Sequence, residues 1–280
     1  MTSQPAPAAR ECLSALGYYR SVEMAETAAY IYCIVHSNGS PLTTKAPPGL
    51  PGATRPAVTA VANSYWLVSA GVPLASYGPA PLEVSLRNVQ WVADVAVAHE
   101  AVVEFFARQA DATVIPMKLF TMFSTTTRAV SQTRSRLRDI DDVVSRIAGC
   151  EEWGVRIAYQ PTASRAPARR AKSSSGTAFL EAKKAARDAA QRTIGTAAEQ
   201  AEVAYTTLAA MAREARRRQD TPAGATSPPL LDAAFLVPTA ARSRFKAAVK
   251  KIAAASSAGT QITLTGPWPS YNFIQPESAS

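Results

Sequence analysis

The alanine-rich stretch Thr177–Arg218 constrains the fold of this chain more than any other feature of its sequence. Its composition predicts one continuous helix, roughly 60 Å long at about 1.5 Å of rise per residue. Gly195 is the position at which such a helix is weakest. Because the apolar stripe is narrow and consists mainly of alanine, burial within its own domain alone does not explain such a helix.

Runs with the composition of strands flank this helix on both sides. Trp153–Tyr159 precedes it, and Leu231–Val237 and Gln261–Thr265 follow it. Ala240–Ala255 has the pattern of a second helix between the last two strands. The order strand–helix–strand–helix–strand resembles a ferredoxin-like sandwich that is short of one strand.

The first half of the chain carries a cluster of strand patterns. Ala28–His36 combines β-branched and aromatic residues, and Ala57–Ala62 and Tyr65–Gly71 are separated by a two-residue turn typical of a hairpin. The other predicted elements of this half are a helix, a strand and a second helix: Leu86–Ala110, Thr113–Phe123 and Thr125–Ala148. Because strands and helices are mixed without strict alternation, we expect an α+β fold.

We expect two domains. Residues 28–150 are predicted to form an N-terminal α+β domain, and residues 151–275 a modified ferredoxin-like domain that contains the long alanine-rich helix. Residues 1–27 are rich in Ala, Pro and Ser and are predicted to be a disordered extension. Residues 161–176 are predicted to be a mobile linker, and residues 276–280 a short tail.

Several classes of protein are excluded by simple patterns. No apolar run reaches the roughly 20 residues that cross a bilayer, and the N-terminus lacks the pattern of a secretory signal. Three cysteines, Cys12, Cys33 and Cys150, lie far apart, which argues against a disulfide scaffold or a zinc ribbon. These features predict a soluble protein of the reducing cytoplasm.

The chain is basic, with a net charge of +9. Residues 161–220 contain twelve Lys and Arg against six Asp and Glu, so most of the excess lies there. Phe179 and Tyr205 are the only aromatic residues in this segment, too few for stacking on single-stranded bases. The segment could still bind phosphates, or its last cations could complement the dipole of the helix C-terminus: Arg213, Arg216, Arg217 and Arg218.

Catalytic motifs are missing from the sequence. The chain has two histidines, His36 and His99, and the pair His99-Glu100 lacks the second histidine of a zinc motif because position 103 is Val. No glycine-rich phosphate loop and no nucleophile elbow occurs. We therefore expect no enzyme activity, no cofactor and no metal.

The segment Thr265–Phe273 has an unusual composition. Two prolines bracket Trp268, which stiffens the backbone, and Tyr271 and Phe273 add aromatic surface. Such a rigid turn either locks the last strand onto its domain or presents an aromatic anchor to a partner.

This segment resembles the T-G-P-W-P-P-Y-S-F signature of the gas vesicle protein GvpL/GvpF family, with Ser270 in place of the second proline and Asn272 in place of Ser. Phe120 stands where the family usually has Gly. Six further blocks follow the family order within about residues 28–275: Gly49–Gly52, His99–Val103, Val114–Lys118, Glu152–Arg156, Gly176–Leu180 and Ala233–Val237.

The resemblance implies an accessory or minor structural protein of gas vesicles, the gas-filled, protein-walled flotation compartments of some prokaryotes. It implies binding to the small hydrophobic protein of the vesicle wall, and contact with other gas vesicle accessory proteins, in the cytoplasm. It implies no catalysis, no cofactor and no membrane. The alternative from a different class is a basic protein that binds nucleic acid through residues 161–220.

Two surfaces are candidates for binding such a partner. One is the aromatic turn, and the other is a stripe on the long helix, which could instead pack on its own domain or on a second copy of the chain. Three arginines could steer the chain towards an acidic partner. The residues concerned are Trp268, Tyr271 and Phe273 of the turn, Ile194, Val203, Leu208 and Met211 of the helix, and Arg216, Arg217 and Arg218.

Overall fold

A computed structural model describes residues 27–160, 176–218 and 229–275 of the chain. The expectations for residues 1–26, for the linker up to residue 175 and for the tail from residue 276 lie outside this part. Among the helices described, none combines the length and the apolar composition needed to cross a bilayer.

The first sheet is antiparallel and centres on β1 (Thr27–His36). β3 (Tyr65–Pro73) pairs with one edge of β1, and β2 (Ala57–Ala62) pairs with β3 to form the predicted hairpin. β4 (Thr113–Pro116) and β5 (Met122–Phe123) both pair with the other edge of β1. The single strand expected over 113–123 is therefore wrong, since the chain leaves the sheet between them.

That interruption is a closed turn. Thr121 donates a hydrogen bond from its hydroxyl to the carbonyl of Lys118, at 2.7 Å, and Phe120 has a φ of 62°. This left-handed conformation is the one that glycine adopts most easily, and the Phe120 ring stacks on Trp91 at 5.9 Å. The backbone thus keeps a glycine-like shape although a phenylalanine occupies the position.

Within residues 27–160, five helices accompany this sheet. Short α1 (Leu74–Tyr77) and α2 (Pro79–Ser85) lead into α3 (Val89–Ala107), which begins at the side-chain cap of Asn88. The helix predicted over 125–148 is capped by the side chain of Thr125, but it is divided into two. At Arg136, with φ −113° and ψ 18°, the helical hydrogen bonding breaks between the two parts: α4 (Thr126–Ser135) and α5 (Leu137–Ile147).

The second sheet has four antiparallel strands, β6 (Cys150–Tyr159), β7 (Glu214–Arg217), β8 (Leu231–Pro238) and β9 (Thr260–Trp268), in the order β7-β8-β6-β9. α6 (Gly176–Ala209) follows β6, and α7 (Arg242–Ala255) follows β8. This is the complete β-α-β-β-α-β order of a ferredoxin-like fold. The expectation that one strand is lacking is wrong.

The fourth strand lies within the segment predicted to be helical. The helix ends at Ala209 instead of Arg218, and Glu214–Arg217 pairs with β8 from Ala233 to Leu236. Alanine, arginine and glutamate are strong helix formers, so the composition of this segment favours a helix. Pairing with a buried strand outweighs that preference.

β1 packs on both faces. A register shift between Ile31 and Cys33 places Tyr30, Tyr32 and Cys33 on the face that packs against α3. The opposite face carries Ala29, Ile31 and Ile34. They belong to a core cluster that also includes residues of α5 and β8 and the side chain of Phe273.

That cluster joins the two sheets, because it draws residues from both sides of position 150. A third cluster packs the other face of β8, centred on Phe235, against Leu208 of α6 and Phe245 of α7. The division into domains at residue 150 stays a prediction.

Candidate functional site

The aromatic turn leaves the second sheet at a glycine that has no space for a side chain. Gly266 has a φ of 117°, and a Cβ atom there would lie 2.8 Å from the carbonyl oxygen of Glu152. The peptide bond between Gly266 and Pro267 is cis. Trp268 then pairs with Glu152 at the end of β9. The direction of the turn is therefore set by the close approach of two backbones.

Two polar side chains fix the turn to the rest of the protein. The hydroxyl of Tyr271 donates a hydrogen bond to Glu100 Oε2 on α3, at 2.6 Å. The backbone amide of Asn272 donates to Glu152 Oε2 on β6, at 2.8 Å, and its side-chain amide donates to Glu152 Oε1. The turn thus connects a helix beside the first sheet to a strand of the second.

Both carboxyl groups in these contacts have raised pKa values. Burial is the main cause at Glu152, and it outweighs the hydrogen bonds from Asn272, which lower the pKa. Burial also raises the pKa of Glu100, against the hydrogen bond from Tyr271. Glu100 Oε1 is buried and has no hydrogen-bond partner among the residues that the structure describes. The ionised forms are therefore costly at this junction.

The three aromatic side chains of the turn differ in exposure. Phe273 is fully buried in the cluster between the sheets, with the guanidinium of Arg216 5.2 Å from the ring centroid. Tyr271 is half-buried, and Trp268 is 40% exposed. Of the two alternatives for the turn, the burial of Phe273 agrees with a lock on the fold, and of the three side chains it is Trp268 that presents a large apolar surface to solvent.

Trp268 borders a small cleft of about 110 Å³. The C-terminal end of α3 and the start of β6 form its walls, and Pro267 and Pro269 flank the tryptophan. The cleft is large enough for part of one side chain from a partner, beside a stiff aromatic residue.

The long helix divides into two halves. Ala197, Ala201, Ala204 and Leu208 are buried, and the last three belong to the third core cluster. The first half is exposed: Ile194 is 44% exposed, and Phe179 more so. Of the predicted stripe, Leu208 is thus a core residue and Met211 lies half-buried beyond the end of the helix.

The three arginines do not form a cationic helix end. Arg216 donates to the carbonyl oxygens of Asn272 at 2.7 Å and of Gln275 at 2.8 Å. Arg217 points to the other side of β7, where it binds both carboxylate oxygens of Glu202. The interpretation that these arginines complement the dipole of a helix C-terminus is wrong, because they lie on or just after a strand.

Arg218 belongs to a cluster that the sequence analysis missed. Asp232 is buried, and its two oxygens accept hydrogen bonds from Arg218 Nε at 2.7 Å and Arg156 Nε at 2.9 Å. Gly154, on the same strand as Arg156, has no room for a side chain, because a Cβ atom there would lie 2.6 Å from the hydroxyl of Thr265. The sequence did contain a signal for this cluster. Asp232 lies in an otherwise apolar strand, and a buried carboxylate needs cationic partners.

The titratable residues of the first core are held neutral. His99 Nδ1 lies 2.8 Å from the hydroxyl of Tyr30, and burial lowers the pKa of His99 to about 4. Burial raises the pKa of the Cys33 thiol far above its usual value. Within residues 27–160, 176–218 and 229–275, no three His, Cys, Asp or Glu side chains are grouped to hold a metal ion.

The arrangement of the two sheets and the turn has counterparts among solved structures. The crystal structure of the gas vesicle protein GvpF from Anabaena sp. PCC7120 matches with a TM-score of 0.60 and 18% identity, over 90% of this chain and 98% of that one. GvpF from Microcystis aeruginosa matches with a TM-score of 0.59 and 15% identity, over 89% and 99%. The fold is therefore that of the GvpF proteins.

The sequence comparisons extend this result from fold to family. Residues 28–275 match the family described as "Gas vesicle synthesis protein GvpL/GvpF". Gas vesicle protein L from Streptomyces sp. (strain CB03234) is 31% identical over 217 residues, which cover 74% of this chain and 78% of that protein. The chain belongs to the GvpL/GvpF family, and its role is related to gas vesicles.

Proposed function

We propose that the protein is a non-enzymatic accessory or minor structural protein, which works with gas vesicles in the cytoplasm. In this proposal it binds the small hydrophobic wall protein and supports vesicle assembly. The observation that carries the proposal is Trp268, a large apolar side chain held at the surface while Phe273 is buried and Tyr271 is hydrogen-bonded to Glu100. Family membership supports the gas vesicle setting.

The physical advantage of this arrangement is that the anchor is already ordered. Pro267 and Pro269 restrict the backbone on both sides of Trp268, and the contacts of the turn hold it against Glu100 and Glu152. Little conformational entropy remains to be lost when a partner covers the indole ring. Tryptophan is also enriched among the residues that dominate protein interfaces.

The test is co-purification of the wall protein with the wild-type chain and with Trp268→Ala, at low and at high salt. An apolar interface survives high salt, and the variant should retain several-fold less wall protein at both salt concentrations. Leu42→Ala, at an exposed leucine elsewhere on the surface, is the matched control and should bind as the wild type does. Equal retention by Trp268→Ala and the wild type would count against the proposal.

A further inference from the structure

A second apolar groove lies on the first sheet, away from Trp268. Its volume is about 300 Å³, at the lower end of the range for ligand pockets. Its floor is the face of β1 that carries Ile31 and Ile34, and Ile140 and Val143 of α5 form one wall. Ile274, directly after the aromatic turn, closes one end. Apolar side chains thus line an opening that solvent reaches.

The opposite wall is one continuous sequence block. Ile115, Pro116, Met117 and Lys118 all line the groove, and they make up most of the Val114–Lys118 block. Met117 donates its backbone N–H to the carbonyl of Tyr32, at 2.9 Å, so the wall is fixed to β1. The groove therefore gives the Val114–Lys118 block a function in binding, which the aromatic turn does not explain.

The charge at the mouth of the groove indicates what would fill it. Arg136 and Asp139 form an exposed ion pair at 3.4 Å and neutralise each other. Lys118 is exposed, and within the described residues no carboxylate pairs with it. Among the described residues, the mouth therefore has one positive charge without a carboxylate partner next to an apolar channel, which complements an aliphatic segment with one carboxylate.

The position of Lys118 is rigid. Thr121 donates both its backbone amide, at 3.2 Å, and its hydroxyl, at 2.7 Å, to the carbonyl oxygen of Lys118. The backbone amide of Ile31 donates to the carbonyl of Thr121 at 2.9 Å. The base of the lysine is therefore fixed to β1, and only its side chain has to be ordered when a partner binds.

We infer that this groove binds a short aliphatic segment of the wall protein, with a carboxylate of that segment on Lys118. The inference rests on the proposed function and adds a second contact, at a groove whose lining residues differ from those of the cleft beside Trp268. A second copy of this chain is a poorer occupant, because its surface is basic overall and would bring further positive charge to Lys118.

Three variants test the groove by co-purification with the wall protein. Lys118→Glu reverses the charge at the mouth and should reduce the retained wall protein about fivefold at low salt, whereas Lys118→Arg should keep it. Val143→Trp fills the groove and should reduce retention at least tenfold at every salt concentration. Lys251→Glu, an exposed residue on α7, is the matched control and should have no effect. Wild-type retention by both Lys118→Glu and Val143→Trp would overturn the inference.

A second readout separates this inference from the proposed function. Anilinonaphthalene sulfonate, an apolar anion, should bind the wild-type chain and Trp268→Ala with equal fluorescence, and Val143→Trp several-fold less. Fluorescence that does not change in Val143→Trp would overturn the groove as a binding site, even if the wall protein still binds through Trp268. Dye binding that depends on Val143, in a chain that retains no wall protein, would overturn the wall protein as occupant and the proposed function with it.

Discussion

The hydroxyl of Tyr271 lies 2.6 Å from Glu100 Oε2, across 171 positions of sequence. This hydrogen bond joins a turn at the end of the second sheet to a helix that packs on the first. Because Glu100 Oε1 is buried without a partner, Tyr271 supplies the one hydrogen bond identified to this carboxyl group within the described residues. Tyr271 should therefore make a measurable contribution to the stability of this junction, beside the apolar cluster that holds Phe273 and the hydrogen bonds of Asn272 to Glu152.

Tyr271→Phe should lower the free energy of unfolding by about 1–3 kcal/mol, since it leaves a half-buried carboxyl group without the hydrogen bond that Tyr271 donates. Urea denaturation followed by circular dichroism measures the change. Tyr205→Phe is the matched control, because its hydroxyl makes a long hydrogen bond of 3.4 Å to the carbonyl of Ala215. Equal losses in the two variants would contradict a special role for Tyr271.

Glu100→Gln should change how stability depends on pH. A carboxyl group whose pKa is raised in the fold favours folding when it is protonated, and this contribution is lost as pH rises through the raised value. Gln keeps an acceptor for Tyr271 and cannot ionise. The variant should therefore unfold at a higher temperature than the wild type at pH 8, and this difference should shrink as the pH falls towards 4.5.

Thermal melts between pH 4.5 and pH 8 give this comparison. Glu83→Gln, at an exposed glutamate on α2, should follow the wild-type curve throughout. A Glu100→Gln curve that runs parallel to the wild type would show that the carboxyl group ionises as freely in the fold as in the unfolded chain.

Two glycines should respond in opposite directions to alanine. Gly154→Ala should cost about 1–3 kcal/mol of unfolding free energy, because its Cβ would lie 2.6 Å from the Thr265 hydroxyl and 3.0 Å from the Arg218 guanidinium. Gly195→Ala lies within α6, where, among the described residues, nothing beyond the backbone of the helix itself comes within 4 Å of the added carbon, and it should gain about 0.5–1 kcal/mol. Chemical denaturation of both variants checks the pair, and a stabilising Gly154→Ala would show that β9 can move aside.

Asp232→Asn should destabilise the second sheet. The buried carboxylate accepts hydrogen bonds from both Arg156 and Arg218, and its loss leaves two cations close together. Since both arginines are partly exposed, we expect the free energy of unfolding to fall by about 2–3 kcal/mol, which is at or below the usual cost of breaking a buried ion pair. Asp139→Asn, in an exposed pair, is the control and should change the unfolding free energy by about 0.5 kcal/mol or less. An equally small change in Asp232→Asn would contradict a stabilising role for the buried carboxylate.

Most strands and helices could be predicted from local patterns, because β-branched runs such as β1 and the helical periodicity of α3 indicate which side chains are buried. β7 could not be, because four residues of helix-forming composition become a strand only through pairing with β8.

The candidate site was predicted in part. Composition identified the turn from Thr265 to Phe273, and the sequence blocks identified the GvpL/GvpF family to which the chain belongs. Composition did not show that Phe273 turns inward and Trp268 outward, because that choice depends on the space between two sheets. The partners Glu100 and Glu152 lie more than a hundred positions away from the turn, so no local pattern contains them.

The place of Phe273 in the core also sets an order of events during synthesis. Phe273 belongs to the same cluster as Ile31 and Leu67, which the ribosome releases about two hundred residues earlier. Until residue 273 emerges, that apolar face of the first sheet has no complete cover. The nascent chain therefore exposes the part of this face that Phe273 covers until the aromatic turn has been synthesised.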